Sequence, residues 1–412
     1  MDGGRNGGGI WSLLGRTYRK GIFPTSFPRR KMVQCCIMKT TKHILSVLAC
    51  GMISAAAVFF NSGCTTACVE KVNYCECGAD CKCAGCKCGA ECKCGSDCKC
   101  EKGCKCGKDG VGRWALTLPY ADMNTGWLKV TRDGKASLLW RWGSPMDAES
   151  KVEGDKLTVT RRTDWPRKDN PADQRFDVLE GVVNGNEMEL VHKIVSGEGK
   201  VQGAVETVKA RRIPAVGPAP DLSKIVYGKP IKLIAADSLD GWKVMSDAFN
   251  GWSVKDGVLS NKVRDENGKV PKPGTNLQTV RADFLDFNLK TEVRLPKDSN
   301  SGIYLRGIYE IQMVDSYGKD VNCHHMGALY GRVTPSVAAE KPAGEWQTVD
   351  ITLYKRHVTV VLNGQKIIDN APVEGITGGA LQPCEFTPGP LYLQGDHADA
   401  DYRNMVLTPI VK

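Results

Sequence analysis

The chain has 412 residues, 42% of them hydrophobic, with 45 glycines and a formal net charge of +10. This length admits two ordinary domains with extensions, and the apolar content excludes a wholly disordered chain. The charge points to no nucleic acid, because Arg5, Arg16, Arg19, Lys20, Arg29, Arg30, Lys31, Lys39 and Lys42 supply much of it and the rest is close to balance.

Residues 1–37 precede a better start at Met38 and are set aside as a leader of doubtful status. Residues 38–63 have the order of a secretory signal: a basic start through His43, an apolar run from Ile44 to Phe60, then small residues. Ser62-Gly63-Cys64 resembles a bacterial lipobox, which implies lipidation of Cys64, although Asn61 stands where an aliphatic residue is usual. Cleavage after Ala55-Ala56-Ala57 and a short membrane anchor are the alternatives. The expectation is export to the periplasm or outer cell surface, with attachment to the membrane through a lipid.

Fourteen of the nineteen cysteines lie between Cys64 and Cys106, against two, Cys323 and Cys384, in the long C-terminal stretch. Six Cys-x-Cys pairs recur. They are Cys75 with Cys77, Cys81 with Cys83, Cys86 with Cys88, Cys92 with Cys94, Cys98 with Cys100, and Cys104 with Cys106. Segment 64–110 has almost no large apolar residue, so it cannot bury a core and is expected to be disordered without covalent or metal bonds. Thiolates two residues apart suit soft metals such as Zn²⁺ or Cu(I), and intervening lysines offset their charge. These twelve cysteines are therefore the expected metal ligands. The spacing resembles a metallothionein; oxidation to disulfides or a plain spacer are the other readings.

Residues 111–213 read as a small β-rich domain. Short aromatic and aliphatic runs around Trp114, Trp127 and Trp140 are separated by turn dipeptides such as Asp133-Gly134 and Asn184-Gly185. Its tryptophans are expected to fill its core rather than form a sugar platform. Pro214 to Pro220 is a stiff linker.

From 221 to 412 strand signals dominate. Phe287, Leu289, Val293 and Leu295 alternate with polar residues, and Asn363-Gly364 marks a hairpin. An all-β sandwich of antiparallel sheets is expected. Ile303 to Val314 reads as one strand, with Ile303, Leu305, Tyr309, Ile311 and Met313 on the core face. Tyr304, Arg306, Glu310 and Gln312 lie on the other, a row suited to sugar binding.

Six motifs then come in order: Asn300 to Arg306, Tyr309 to Asp315, Gly327 to Tyr330, Gly344 to Gln347, Val361 to Gly364, and Leu391 to His397 followed by Tyr402 to Asn404. In this order they resemble the 3-keto-disaccharide hydrolase domain family, over about Ile231 to Pro409. The resemblance implies a concanavalin/laminin-G-type jelly roll and a secreted protein cleaving 3-keto-glycosides, as a hydrolase or as a 1,2-lyase with a hydration step.

A 3-keto group acidifies the hydrogen at C2. Its removal gives an enolate that can expel the group at C1, which calls for a base, an oxyanion stabiliser and an acid. The catalytic candidates are Glu310, His397, Arg306 and Asp315, the last of opposite strand parity to Glu310. Tyr304, Gln312, Tyr330, Trp346 and Gln394 are the substrate-binding candidates. His324 and His325 are further candidates for a base, or for ligands of a divalent metal at the sugar site. A non-catalytic carbohydrate-binding lipoprotein is the alternative reading.

Overall fold

The computed structural model describes residues 109–121 and 124–412. The leader, the signal-like segment and the lipidation candidate Cys64 lie outside the described residues. So do all twelve expected metal ligands: Cys75, Cys77, Cys81, Cys83, Cys86, Cys88, Cys92, Cys94, Cys98, Cys100, Cys104 and Cys106. Among the described residues the protein is all-β, with two short 3-10 turns. No helix there is long and apolar enough to cross a membrane.

The first body is a closed eight-stranded barrel. Its strands follow one another as an antiparallel meander: β1 (Gly112–Thr117), β2 (Thr125–Val130), β3 (Lys135–Trp140), β4 (Trp142–Glu153), β5 (Lys156–Arg162), β6 (Phe176–Asn184), β7 (Glu187–Val195) and β8 (Val201–Ile213). The sheet closes where β8 pairs back onto β1. Alternation sends every second side chain inward. One end is filled by Trp114, Leu116, Leu138, Leu157, Leu179 and Leu190. Towards the other end the inward positions turn polar. His192 lies 3.2 Å from both Asp177 and Glu206, Arg161 pairs with Asp177, and a cavity of ≈ 390 Å³ opens beside them.

The second body is a sandwich. Its strands are β9 (Ile231–Lys232), β10 (Trp242–Val244), β11 (Trp252–Lys255), β12 (Val258–Asn261), β13 (Leu277–Thr279), β14 (Phe287–Arg294), β15 (Asn300–Leu305), β16 (Tyr309–Val314), β17 (Trp346–Tyr354), β18 (His357–Leu362), β19 (Gln365–Pro372), β20 (Tyr392–Leu393) and β21 (Ala400–Pro409). One sheet has five strands in the order β10-β13-β20-β15-β16. The other has eight, β11-β12-β21-β14-β17-β18-β19 with β9 paired to β21. Phe287, Leu289 and Val293 from the larger sheet and Ile303 and Ile311 from the smaller are fully buried between the layers. This is the antiparallel sandwich that the alternation predicts, of the concanavalin/laminin-G-like type that the family resemblance implies.

Two expectations need correction. Ile303 to Val314 is not one strand but the β15–β16 hairpin, turning at Arg306 (φ 55°) and Gly307 (φ 67°). The face assignment survives because Tyr304 pairs with Glu310 and Gly302 with Gln312, and directly opposed residues share a face. The tryptophans also divide. Trp114 fills the barrel, but Trp127 points outward and joins Ala115, Leu139 and Ile213 in the sandwich core cluster. Arg332 covers the Trp127 ring at 4.1 Å, and burial pushes its guanidinium down to about 10. Trp142 and Trp165 are exposed. Thr125 donates to the Ala380 carbonyl at 2.9 Å and Lys129 pairs with Glu374 at 2.7 Å, so barrel and sandwich share polar contacts as well as core.

Candidate active site

The five-stranded sheet carries an in-register row across its outer face. Lys243 pairs with Gln278, Gln278 with Tyr392, Tyr392 with Tyr304, and Tyr304 with Glu310. Beyond Glu310 the chain from Gly327 to Tyr330 runs alongside β16. Gln312 donates its amide to the Ala328 carbonyl, and Tyr330 donates its amide to the Glu310 carbonyl. Tyr330 thereby extends the row by one position.

Glu310 is the chemical centre of this row. It is 3% exposed, and burial pushes its carboxyl up to about 8, helped by the negative charge of Asp396. Gly302 makes the space. A Cβ there would lie 2.9 Å from Glu310 Cγ, so the carboxyl rests where a larger residue would stand. The Tyr304 hydroxyl is 2.9 Å from Glu310 Oε2 and 2.8 Å from the Gly378 carbonyl. A hydroxyl has one proton, and a carbonyl can only accept. Donation to Gly378 leaves the Tyr304 oxygen to accept from a protonated Glu310, in keeping with the raised pKa. The Tyr304 ring stacks on Tyr392 at 3.9 Å and 12°, which holds both hydroxyls in place.

A second titratable pair lies at the exposed rim. His397 Nδ1 is 2.7 Å from Asp396 Oδ1, and its Nε2 is 3.3 Å from Asn300 Nδ2. An Nδ1–H donating to Asp396 leaves Nε2 as the acceptor from Asn300, the tautomer of a poised base. Asn300 Oδ1 also bonds the Gln312 amide at 3.0 Å, and with that amide rotated its nitrogen comes within 3.3 Å of Glu310 Oε1. The two orientations exclude one another, so Gln312 serves either Asn300 or Glu310. Gln394 faces the same side opposite Gly302, and its Oε1 is buried without a hydrogen-bond partner.

On the other side of Glu310, Tyr330 meets His324 edge-on at 5.0 Å. His324 Nε2 is 2.6 Å from Ser144 Oγ of the barrel. His325 is tied into its own loop by Asp320 and Asn322.

Three expected site residues lie elsewhere. Arg306 sits in the hairpin turn and points into a buried network. Its Nη2 donates to the Tyr309 hydroxyl and the Glu385 carbonyl, while the Glu385 carboxylate pairs with Arg356 at 2.9 Å. Asp315 accepts from the Asp298 amide at 2.9 Å and so fixes the loop before β15. Trp346 lies on the larger sheet, sandwiched between Arg294 at 4.7 Å and Arg403 at 4.1 Å. The structure also adds residues the sequence reading did not assign: Asn300, Gly302, Tyr392 and Asp396. All but Asp396 could be found from strand parity and their motifs. Asp396 needed the loop geometry.

Among the described residues no group of three or more His, Cys, Asp or Glu side chains is placed to hold a metal ion. Glu310 is hydrogen-bonded to Tyr304, and Asp396 to His397.

Residues 229–408 match the model of the 3-keto-alpha-glucoside-1,2-lyase-like domain. A 3-keto-disaccharide hydrolase from Bacteroides thetaiotaomicron is 25% identical over 222 residues, covering 42% of this chain and 72% of that protein. Among solved structures, a candidate glycosyl hydrolase from Parabacteroides distasonis is 25% identical and covers 46% of this chain and 92% of its own, with a TM-score of 0.34. A carbohydrate-binding module from Bacillus subtilis is 10% identical and covers 40% and 93%, with a TM-score of 0.28. The C-terminal sandwich of this chain, residues 229–408, belongs to the 3-keto-alpha-glucoside-1,2-lyase-like domain family.

Proposed function

We propose that the sandwich cleaves the glycosidic bond of 3-keto-glycosides by elimination across C1 and C2, followed by hydration. The observation that carries this reading is a buried neutral carboxyl on the same sheet face as an imidazole oriented by a carboxylate. Glu310 is a buried carboxyl held neutral at pH 7, and His397 is an exposed imidazole oriented by Asp396. The neutral carboxyl of Glu310 can serve as the acid, and the orientation of His397 by Asp396 leaves its Nε2 to serve as the base.

In the forward step His397 Nε2 takes the C2 proton. The electron pair passes through the enolate to expel the C1 oxygen, and Glu310 donates its proton to that leaving oxygen. The side chains of Asn300, once substrate displaces it from His397 Nε2, and of Tyr330, next to Glu310 in the row, would support the enolate, the role first expected of Arg306. Water then adds at C1 and the proton returns to C2, so the net reaction is hydrolysis. A direct hydrolase would require two carboxylates flanking the bond. Asp396 is engaged with His397, which supports the elimination route instead.

The family match and the curated relative support the substrate class. Export and lipid attachment belong to the same proposal, because the signal-like segment ends at Cys64. So does soft-metal binding by the paired cysteines between Cys75 and Cys106. The test is incubation of the full chain with a 3-keto-glucoside, following loss of the glycosidic bond and appearance of the unsaturated keto sugar. Hydrolysis without exchange of the C2 hydrogen with solvent would remove the elimination route.

A further inference from the structure

The barrel lies outside the matched family domain, yet it reaches the candidate site. The β3–β4 connection at Arg141 and Gly143 takes left-handed backbone at both residues (φ 64° and 72°), which pushes Trp142 out between them. The Gly379 amide donates to the Arg141 carbonyl at 2.8 Å. A Cβ at Gly378 would collide with the Gly143 backbone, so the two chains can approach only because glycine stands there. The same segment accepts the Tyr304 hydroxyl through the Gly378 carbonyl. A Cβ at Gly379 would lie 2.8 Å from the Tyr304 hydroxyl, 3.4 Å from the Tyr392 hydroxyl and 3.5 Å from Trp142 Cζ3. Trp142 therefore stands beside the hydroxyls of Tyr304, which contacts Glu310, and of Tyr392. Ser144, two residues on, completes the approach through its 2.6 Å contact with His324.

Trp142 remains 55% exposed in this setting. The other aromatics of the row are buried or half-buried, so its ring is the free apolar surface at this rim. Sugar rings present apolar C–H faces that lie flat on such rings.

We propose that Trp142 of the barrel is the stacking platform of a leaving-group subsite, which would give the protein a preference for 3-keto-glycosides whose leaving group is itself a ring, such as a second sugar. The proposal rests on the catalytic reading above for the word leaving group, but the platform is a property of the barrel. It makes the active site composite: the sandwich supplies acid and base, and the barrel supplies selectivity for the departing ring.

The test compares the full chain with its Trp142→Leu and Trp142→Tyr variants on a 3-keto-disaccharide and on methyl 3-keto-glucoside. Leu keeps apolar bulk without a ring face; Tyr keeps the ring. The ratio of kcat/KM for the disaccharide over the methyl glycoside should fall about tenfold in the Leu variant, through KM, and recover in the Tyr variant. An unchanged ratio in both variants overturns the proposal. A parallel readout separates it from the catalytic reading: titration of the unoxidised parent disaccharide against intrinsic tryptophan fluorescence. A signal lost in the Leu variant, in a protein without turnover, keeps the platform and removes the catalytic reading. Turnover with no Trp142-dependent signal and no change in the ratio removes the platform and keeps the catalysis.

Discussion

The Tyr304 hydroxyl lies 2.9 Å from Glu310 Oε2, and because it has one proton for two acceptors, that contact reports the protonation state of the carboxyl. If Tyr304 donates to Gly378 and accepts from neutral Glu310, removing the hydroxyl removes a partner of the neutral form. Tyr304→Phe should then lower the Glu310 pKa below about 8. If Tyr304 instead donates to an ionised Glu310, the same substitution raises it. The acidic-group titration seen in the pH dependence of kcat/KM gives the direction.

Glu310 also leaves a mark on stability. Its folded pKa of about 8 lies above the ordinary value of 4.5, so the folded state favours the protonated form. The advantage is complete below pH 4.5 and is lost as pH rises through about 8. At about 1.4 kcal/mol per pKa unit the loss is on the order of a few kcal/mol. Thermal melts of the wild type should fall over this window, while Glu310→Gln, neutral throughout, should not follow. Parallel curves for the two proteins contradict a neutral buried Glu310.

Trp346 should be dispensable for chemistry. It is packed between Arg294 and Arg403 on the larger sheet, away from the Glu310 row. Trp346→Ala is expected to cost about 1 kcal/mol of stability through the lost cation–π contacts and to leave kcat/KM unchanged. A large loss of kcat/KM at full stability would return Trp346 to the site.

The polar end of the barrel should matter for folding. His192 is lowered by burial, but hydrogen bonds to Asp177 and Glu206 outweigh this and raise it overall. Asp177 also neutralises Arg161. Removing Asp177 leaves the buried Arg161 guanidinium without its carboxylate and His192 with Glu206 alone, a change worth roughly 3–5 kcal/mol. Asp177→Ala should lower the melting temperature steeply. Because His192 is raised, the part of the stability it contributes is present below pH 6.5 and fades as pH climbs through its folded value.

The strand face could be read from the sequence because pairing preserved it. Tyr304, Glu310 and Gln312 were placed by parity, and a three-residue turn between opposed partners kept that parity intact. Arg306 was misplaced for the same reason: counting by twos cannot see that it occupies the turn with left-handed backbone. Trp346 shows another limit, since alternation gives the face of a strand but not the sheet to which it belongs. Asp396 became visible only as the partner that orients His397. The role of Trp142 depends on a contact between two bodies far apart in sequence, made possible by Gly378 and Gly379, and no local pattern carries it.

Joint action of Glu310 and His397 on a 3-keto-glycoside is tested by turnover in deuterated water of the wild type, Glu310→Gln and His397→Ala. The wild type should cleave the substrate with deuterium entering at C2, and each variant should lose about 10²–10⁴-fold, as expected for general acid–base groups. Cleavage unaffected by both substitutions, or no cleavage by the wild type, would contradict it.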